Sequence, residues 1–498
     1  MSIVPEALLD MDRVKVDPAW ALRVPAALAV RRQVLPFAQL DGKIYVACAD
    51  PADTAALEAV ERHVGQRIVA KMAERDSLQR ALARVYTDSP RGSTRITAPA
   101  RPGAVEAEGE DAVSVSQDLL HAAIIRGASD IHIEPGREYV RVRFRVDGLL
   151  EEYQRLPLAR EAGLISRLKV MAGMDIAEKR APQDGAFSHR FGIGANARSV
   201  DIRAATLPTK FGEKVTLRLL GLQTGELTLE RLGMCSADLQ RMEHILSQPH
   251  GLLLLTGPTG SGKTTTLYAA IHRLLKSAEL NIITIEDPIE YEIPRVSQVE
   301  VDSGEKVSFS RALRSVLRHD PDVVMIGEIR DADTLDVAVK SSLTGHLVLS
   351  TLHTNTATGA VTRLADMGLA RFMIAATLRL CAAQRLVRKL CPDCRVARKM
   401  TAAEAAVLGS AADAGRTVYE SGGCVYCAGR GYSGRLGLFE MMAVDDDACS
   451  LISRGIPENE LTAAMKSKGM ATLLDDAREK VFAGLTTMRE AVEAVATW

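Results

Sequence analysis

An apolar run that leads directly into a glycine-rich turn constrains this chain more than any other feature. In "LLLLTGPTGSGKTTTLY", Leu252 to Thr256 precede eight residues of the form G-x-x-x-x-G-K-T, Gly257 to Thr264. The apolar run predicts a buried central strand, and the threonines open a helix whose N-terminal amides attract anions. A strand, a tight turn and a helix in this order predict an α/β sheet that carries a phosphate-binding loop.

The residue types in this turn suit a nucleoside triphosphate. Glycines allow backbone N–H groups to point inward around phosphates, Lys263 supplies a charge for the outer phosphates, and Thr264 supplies a hydroxyl for Mg²⁺. We therefore expect ATP and Mg²⁺ as ligands. The residues expected to bind them are Gly257, Pro258, Thr259, Gly260, Ser261, Gly262, Lys263, Thr264 and Thr265. The alternative is a glycine-rich turn that binds nothing.

Composition excludes several classes of protein. With 498 residues and 47% hydrophobic content, the chain is long enough for about two to four domains. Lys and Arg number 62 against 63 Asp and Glu, a net charge of -1, which argues against a protein that coats nucleic acid. No apolar run approaches the roughly twenty residues of a membrane span, and no basic start precedes an apolar segment at the N-terminus. We expect a cytoplasmic protein.

Local patterns divide the chain into four parts. Residues 1–86 mix strand and helix signals and predict a small N-terminal α/β domain, whereas residues 87–111 are rich in Pro, Gly, Ser and Thr and predict a flexible linker. Residues 112–225 begin with a helix near Val113 to Arg126 and continue with alternating strands of a half-exposed sheet, which predicts a second, α+β domain. In residues 232–498, strands alternate with helices as in a doubly wound ATPase core.

One strand of the second domain carries a stripe of arginines. In "YVRVRFRVDG", Arg141, Arg143 and Arg145 share one face of the strand, and apolar side chains share the other. Two interpretations stay open for the arginine face, a solvated surface and an interface.

A carboxylate follows a second short apolar run. In "DPDVVMIGEIRD", Val323 to Ile326 predict a buried strand that ends in Gly327 and Glu328. Glu328 then lies at the carboxyl end of its strand beside the phosphate loop, where a carboxylate can polarise the water that attacks the γ-phosphate. The alternative is a simple helix cap. Many phosphate-loop enzymes carry an Asp for Mg²⁺ at this position and this chain does not, so Mg²⁺ coordination is only partly assigned.

Polar clusters follow two further strands. "IITIEDPIEYE" contains Glu286 and Asp287, and "LTGHLVLSTLHTN" contains His346 and His353. His353 directly follows its strand and is placed to sense a γ-phosphate. For His346, a core histidine and a catalytic one stay equally open. The polar neighbours of His353 are Thr351, Thr354 and Asn355.

Four of the eight cysteines form two close pairs. "CPDC" and "CVYC", 29 residues apart, contain Cys391, Cys394, Cys424 and Cys427. Two such pairs supply four thiolates for a tetrahedral structural Zn²⁺ with no open position for catalysis. A redox role is the alternative, although no thioredoxin-like unit surrounds either pair.

Taken together, these segments resemble the secretion ATPases, the motors of type II secretion and type IV pilus assembly. The resemblance rests on "ASDIHIEP", "VRFRVDG", "RAPQDG", "LPTKFGEKVTLRLL", "GPTGSGKTTTLY", "TIEDPIEY", "DPDVVMIGEIRD", "TGHLVLSTLHTN" and "CVYCAGRGYSGRLGLFE", which occur in the family's order over nearly the whole chain. It implies a multidomain α/β fold: a RecA-like ATPase core with a zinc-binding insert at 391–427, preceded by a PAS-like α+β second domain with a small mixed sheet and by a small N-terminal domain.

The resemblance also implies roles for residues and partners. Lys263 and Thr264 would hold phosphate and Mg²⁺, and Glu328 would activate water. Arg203 and Arg218 would reach the nucleotide from the second domain, a role that the bare pattern does not distinguish from ordinary sheet-surface charge. Glu286 and Asp287 would lie in the family's acidic box, and His346 and His353 in its histidine box. The motor would be a homo-hexamer on the cytoplasmic face of the inner membrane, docked through its N-terminal domain to the cytoplasmic part of a membrane platform.

Several functions compete within and outside this family. The tetracysteine and the N-terminal region argue against pilus retraction. The short stretch of about 110 residues before the second domain favours type II secretion over pilus extension. A DNA-translocating motor is disfavoured by the neutral charge and the lack of a basic run, and no nucleic acid is expected as a partner. A non-hydrolysing nucleotide-binding scaffold is disfavoured by the intact Lys263, Thr264 and Glu328.

Overall fold

The computed structural model describes residues 8–86, 112–192, 198–221, 227–277, 279–301 and 308–495. The predicted linker, residues 87–111, lies outside these ranges. Two compact units are distinguished: the first takes the described residues up to 221 with Cys391–Arg395 and Ser421–Ser433, and the second takes the rest. Within the described ranges, no helix combines the length and the apolar character that crossing a membrane requires.

The first part of the first unit is a three-stranded sheet with four helices. β1 and β2 are antiparallel and β3 pairs with β2 in parallel. The helix Thr54–Val64 (α3) begins after Asp53, whose side chain caps its N-terminus, and Ala56, Val60 and Val64 form its buried face at four-residue spacing. The elements are α1 (Pro18–Ala21), α2 (Ala26–Arg32), β1 (Val34–Leu40), β2 (Lys43–Cys48), α3 (Thr54–Val64), β3 (Ile68–Met72) and α4 (Arg75–Val85).

A six-stranded sheet forms the second part of the first unit, in the order β6-β5-β4-β9-β8-β7. Its elements are α5 (Ala112–Arg126), β4 (Ala128–Pro135), β5 (Tyr139–Val146), β6 (Leu149–Pro157), α6 (Glu161–Met171), β7 (Gln183–Phe191), β8 (Arg198–Thr209) and β9 (Gly212–Leu219). The predicted helix is confirmed as α5. All five strand pairings are antiparallel, so the mixed sheet that the resemblance implied for this domain is wrong.

The arginine stripe lies on β5 as the alternation predicts, and its charges are paired within the sheet. Arg143 contacts Glu134 of β4 at 2.7 Å and Arg141 contacts the same carboxylate at 3.3 Å. Arg145 lies 3.6 Å from Asp130. The stripe is therefore matched by acidic partners on the neighbouring strand.

The second unit is built on a seven-stranded sheet of order β12-β11-β13-β14-β10-β15-β18. The pairings from β12 through to β15 are parallel. Its strands are β10 (Gly251–Thr256), β11 (Ile282–Glu286), β12 (Ser297–Glu300), β13 (Val323–Ile326), β14 (Leu347–Leu352), β15 (Leu378–Leu390) and β18 (Tyr432–Ala443), and β16 (Val396–Lys399) and β17 (Thr417–Glu420) form a separate antiparallel pair.

Helices cover both faces of this sheet, which explains the unbroken apolar runs in its strands. In β10, Leu252 and Leu254 enter one hydrophobic cluster while Leu253 and Leu255 enter another. The helices are α7 (Ser236–Leu246), α8 (Lys263–Ser277), α9 (Phe309–Val316), α10 (Ala332–Leu343), α11 (Gly359–Asp366), α12 (Arg371–Thr377), α13 (Ala402–Val407), α14 (Asp446–Arg454), α15 (Glu458–Ser467), α16 (Leu473–Phe482) and α17 (Met488–Val495).

Candidate functional site

The glycine-rich turn connects β10 to α8 at the carboxyl end of the sheet, as predicted. Gly257 and Gly262 have φ values of 146° and 90°, which favour glycine. A Cβ atom at Gly257 would lie 2.5 Å from the main-chain oxygen of Gln384, and one at Gly262 would lie 2.8 Å from the Gln384 side chain. Both positions therefore require glycine for space as well as for conformation.

Lys263 spans the turn at the start of α8. Its Nζ donates to the main-chain oxygens of Gly257 at 2.8 Å and Pro258 at 3.1 Å. Burial lowers the pKa of Lys263, and the nearby Glu328 carboxylate acts in the opposite direction. The lysine charge is therefore held inside the loop and close to Glu328.

Two hydroxyls of this loop have the properties that a nucleotide site needs. The Oγ of Ser261 is buried and has no hydrogen-bond partner among the described residues. Thr264 is exposed in the first turn of α8, where the helix N-terminus favours anions. An orphaned buried hydroxyl inside a loop of this shape fits a bound phosphate, and the exposed Thr264 hydroxyl fits an accessible Mg²⁺ ligand.

Glu328 follows β13 as predicted and belongs to a cluster of charged side chains. Its carboxylate pairs with Arg330 and lies 3.3 Å from Nε2 of His353. Arg330 also contacts Asp287 at 3.4 Å. Burial on its own raises the pKa of Glu328. Arg330 and, after it, His353 lower this pKa by a larger amount, so it lies below the ordinary value. The cluster thus holds an ionised carboxylate at the carboxyl end of the parallel strands.

The two members of the predicted acidic box have different surroundings. Glu286 ends β11 and is 2% exposed. It accepts hydrogen bonds from Tyr268, from Thr284 at 2.7 Å and from Gln298 at 3.0 Å. Asp287, one residue later, is exposed and contacts Arg330. Glu286 therefore fastens β11 to α8, and a catalytic role for either residue stays a prediction.

The structure separates the two predicted histidines. His353 lies just after β14 beside Glu328, whereas His346 lies before β14 and its ring contacts the main-chain oxygen of Ser341 at 2.9 Å. A strand of this length puts the two residues about 20 Å apart. His346 therefore lies at the amino ends of the parallel strands, whereas the phosphate loop of the same chain lies at their carboxyl ends.

Two residues of β15 whose position the sequence pattern does not predict pack against the phosphate loop. Gln384 accepts a hydrogen bond from Thr266 at 2.8 Å, and Arg385 donates to Asn355 at 3.1 Å. Both are almost fully buried. The available signal was an amide and a guanidinium in an otherwise apolar stretch, "LCAAQRLV", because buried polar groups need partners.

Arg203 and Arg218 lie in the first unit and therefore in a different unit from the phosphate loop. They face each other across β8 and β9. Arg218 pairs with Asp130 at 3.0 Å and its side chain is 64% exposed. Their predicted approach to the nucleotide stays a prediction.

The four predicted cysteines come together. Their sulfur atoms lie within 4.8 Å of one another, with Sγ–Sγ distances of 3.8 Å for Cys391–Cys424 and for Cys394–Cys427. Four thiolates about 2.3 Å from a tetrahedral Zn²⁺ would be about 3.8 Å apart, so the set fits zinc. Burial on its own raises the pKa of the Cys427 thiol. Hydrogen bonds from the N–H groups of Cys424 and Gly431 lower this pKa by a larger amount, so it lies below the ordinary value.

The cysteine segments contact the N-terminal part of their own unit. Arg13 pairs with Asp393 at 2.7 Å and lies over the ring of Tyr426. The main-chain N–H of Lys15 donates to the oxygen of Tyr426 at 2.8 Å. A folded cysteine cluster therefore offers a surface on which residues near the N-terminus rest.

Comparisons with known proteins agree with this geometry. A family model described as "Type II/IV secretion system protein" matches residues 106–493, and one described as "MshEN domain" matches residues 5–92. The type II secretion system protein E of Pseudomonas aeruginosa is 43% identical over 94% of this chain and 95% of its own length. The type II secretion system ATPase E of Vibrio cholerae is 45% identical over 75% of this chain and 73% of its own.

Solved structures support the same fold. The pilus retraction motor PilT with bound ADP has a TM-score of 0.52 and 28% identity, covering 76% of this chain and 95% of its own. The ATPase DotB of Legionella pneumophila has a TM-score of 0.58 and 22% identity, covering 79% of this chain and 98% of its own.

Proposed function

Because this chain belongs to the type II/IV secretion system protein family and is an ATPase, we propose that it is the hexameric motor that drives pseudopilus assembly in a type II secretion system. The proposal rests on one observation: Lys263 and Glu328 lie close together at the carboxyl ends of the parallel strands of one sheet. The relatives named for type II secretion extend the proposal from the reaction to the pathway.

In the proposed reaction, the glycine loop binds the triphosphate of ATP. Its backbone N–H groups and Lys263 neutralise phosphate charge, and Thr264 contributes a hydroxyl to Mg²⁺. Phosphoryl transfer is catalysed mainly by positioning and charge neutralisation, so few further groups are needed. Glu328, kept ionised by Arg330, orients the water that attacks the γ-phosphate, and His353 holds the other carboxylate oxygen.

Hydrolysis becomes mechanical work if groups from another unit are needed to complete the site. We assign this role to Arg203 and Arg218, whose side chains lie on neighbouring strands of the first unit. A site completed by a moving domain makes turnover depend on closure of that domain. The partner that receives the movement is the cytoplasmic part of an inner-membrane platform, bound through the N-terminal domain, residues 1–86, which matches the MshEN model.

The remaining domain assignments follow the same proposal. Residues 112–225 form the second domain, joined by the linker 87–111, and residues 232–498 form the ATPase domain with its zinc insert at 391–427. Zn²⁺ bound by the four cysteines is structural, since four thiolates leave no open position for a reacting group. The protein works in the cytoplasm, on the cytoplasmic face of the inner membrane.

The experiment uses the full chain as bait in membrane extract of the source cell, with mass spectrometry as readout. We expect capture of a type II secretion membrane anchor, and a parallel assay should show Mg²⁺-dependent ATP hydrolysis. Capture of pilus assembly components instead would overturn the pathway and keep the ATPase. Activity that rises only with DNA would point to a translocating motor.

A further inference from the structure

Arg385 is a buried cation directly beneath the phosphate loop. It is 6% exposed, and no described carboxylate lies within ion-pair distance of it. A Cβ atom at Gly257 would be 3.1 Å from its Nη1, so the guanidinium packs against the first residue of the loop. Its Nη2 donates to Asn355, to the main-chain oxygen at 3.3 Å and to Oδ1 at 3.1 Å.

The chemistry of this contact fixes the orientation of the Asn355 amide. A guanidinium carries only donors, so it must face the oxygen of the amide. The Nδ2H₂ group of Asn355 then points away from Arg385. Asn355 is exposed, and within the described part of the chain its amide nitrogen makes no hydrogen bond. A pair of donors is thus held in a set direction without a protein partner.

Asn355 lies at the carboxyl ends of the parallel strands, in the turn between the phosphate loop and Glu328. Asn355 follows β14, which lies between β10, the strand of the phosphate loop, and β13, the strand of Glu328. Its turn is tied to both neighbours. Thr354 N–H donates to Thr256 at 2.7 Å, and His353 contacts Glu328 at 3.3 Å.

We propose that Asn355 binds the γ-phosphate of ATP through its amide NH₂ group, and that Arg385 is the positioning residue that holds this amide in the required orientation. The inference deepens the ATPase activity and does not depend on the secretion pathway. ADP lacks the γ-phosphate, so the pair discriminates ATP from ADP.

Asn355→Asp separates this role from a structural one. The carboxylate keeps the contact with Arg385 and strengthens it through charge, but it replaces two donors with an acceptor that repels phosphate. We expect the affinity for a non-hydrolysable ATP analogue to fall about 10- to 100-fold, since hydrogen bonds to charged groups are the strong ones, with the ADP affinity changed less than about twofold. Thr356→Val is the matched control: its hydroxyl lies in the same turn but donates to Glu458 at 2.7 Å, so the ratio of the two affinities should not change.

Arg385→Met tests the positioning residue. We expect it to weaken ATP-analogue binding about tenfold, and the further change Asn355→Ala in that background to add less than about twofold, because the amide has already lost its orientation. An Asn355→Asp protein with the wild-type ratio of ATP to ADP affinity would overturn the proposal. That variant alters an exposed side chain, so it decides the matter even if Arg385→Met does not fold.

Discussion

The hydroxyl of Thr256 joins the end of β10 to the turn that carries His353, and replacing it with a methyl group tests how firmly that turn is held. Thr256 is fully buried. Its Oγ1 accepts from the Thr354 N–H at 2.7 Å and lies 2.9 Å from the Thr354 oxygen and 2.6 Å from the Thr354 hydroxyl. Thr256→Val keeps the shape and the strand preference but removes every one of these contacts.

The expected cost follows from what the change leaves unpaired. The N–H of Thr354 becomes a partly buried donor without a protein partner, which costs about 1–3 kcal/mol, and the lost donation from the hydroxyl adds about 1 kcal/mol. We therefore expect Thr256→Val to destabilise the second unit by about 2–4 kcal/mol. Thr351→Val is the matched comparison, because the Thr351 hydroxyl only donates to the Gly327 oxygen at 2.7 Å and its loss orphans no N–H group. Its expected cost is about 1 kcal/mol.

Hydrogen exchange resolved to single residues measures both effects. In Thr256→Val, the free energy needed to open the turn should fall by about 1–3 kcal/mol, so exchange of the Thr354 amide should be about 5- to 150-fold faster. Urea unfolding of each variant gives the accompanying loss of stability. If the Thr354 amide stays as protected as in the wild type, or if the two valine variants lose equal stability, the hydroxyl does not hold the turn and this reasoning is wrong.

Three further predictions concern catalysis, metal and pH. Glu328→Gln should reduce turnover by at least about 100-fold while ATP still binds, because the amide cannot act as the ionised group that orients water; equilibrium binding and phosphate release measure the two effects, and undiminished turnover would contradict the role. Metal analysis of the reduced protein should give about one Zn²⁺ per chain, and Cys424→Ser should lose it; a metal-free wild-type protein would refute the site. Burial on its own raises the pKa of Glu134. Arg143 and Lys214 lower this pKa by a larger amount, and the result is about 2. Because the folded pKa lies below the ordinary value of 4.5, this carboxylate stabilises the fold at neutral pH and the benefit is lost as pH falls from about 4.5 towards 2. Glu134→Gln should therefore be less stable than wild type at pH 7 and equally stable near pH 2 in chemical unfolding.

Strands that lie in the centre of the sheet were the most predictable part of the fold. The runs at Leu252 to Leu255 and Val323 to Ile326 are buried on both faces, so their apolar character is unbroken and the turn signals beside them are clear. The antiparallel pairing of β4 with β9 joins residues far apart in the chain. Such non-local pairing depends on the whole sheet and has no local sequence signal, so the direction of these strands was not predictable from the alternation, and the mixed sheet that the resemblance implied is wrong.

The candidate site was predictable where one strand ends in one polar residue. Glu328 and His353 each follow a short buried strand, and the structure brings them together as that position implies. Glu286 has the same kind of position, yet three side chains surround it, and no local pattern announces that Tyr268 and Gln298 will be its partners. No local pattern predicts that Arg385 packs against Gly257, because 128 positions of chain separate the two residues.

The placement of the cysteine cluster has a consequence for how the chain is threaded. Cys391–Arg395 and Ser421–Ser433 belong to the first unit, but the intervening Val396–Glu420 belongs to the second. An ion bound to the four sulfurs would therefore crosslink the segments on either side of Val396–Glu420. This segment would then be a closed loop whose two ends are held in the first unit. Loss of that single ion would release both ends at once, together with the surface on which Arg13 rests.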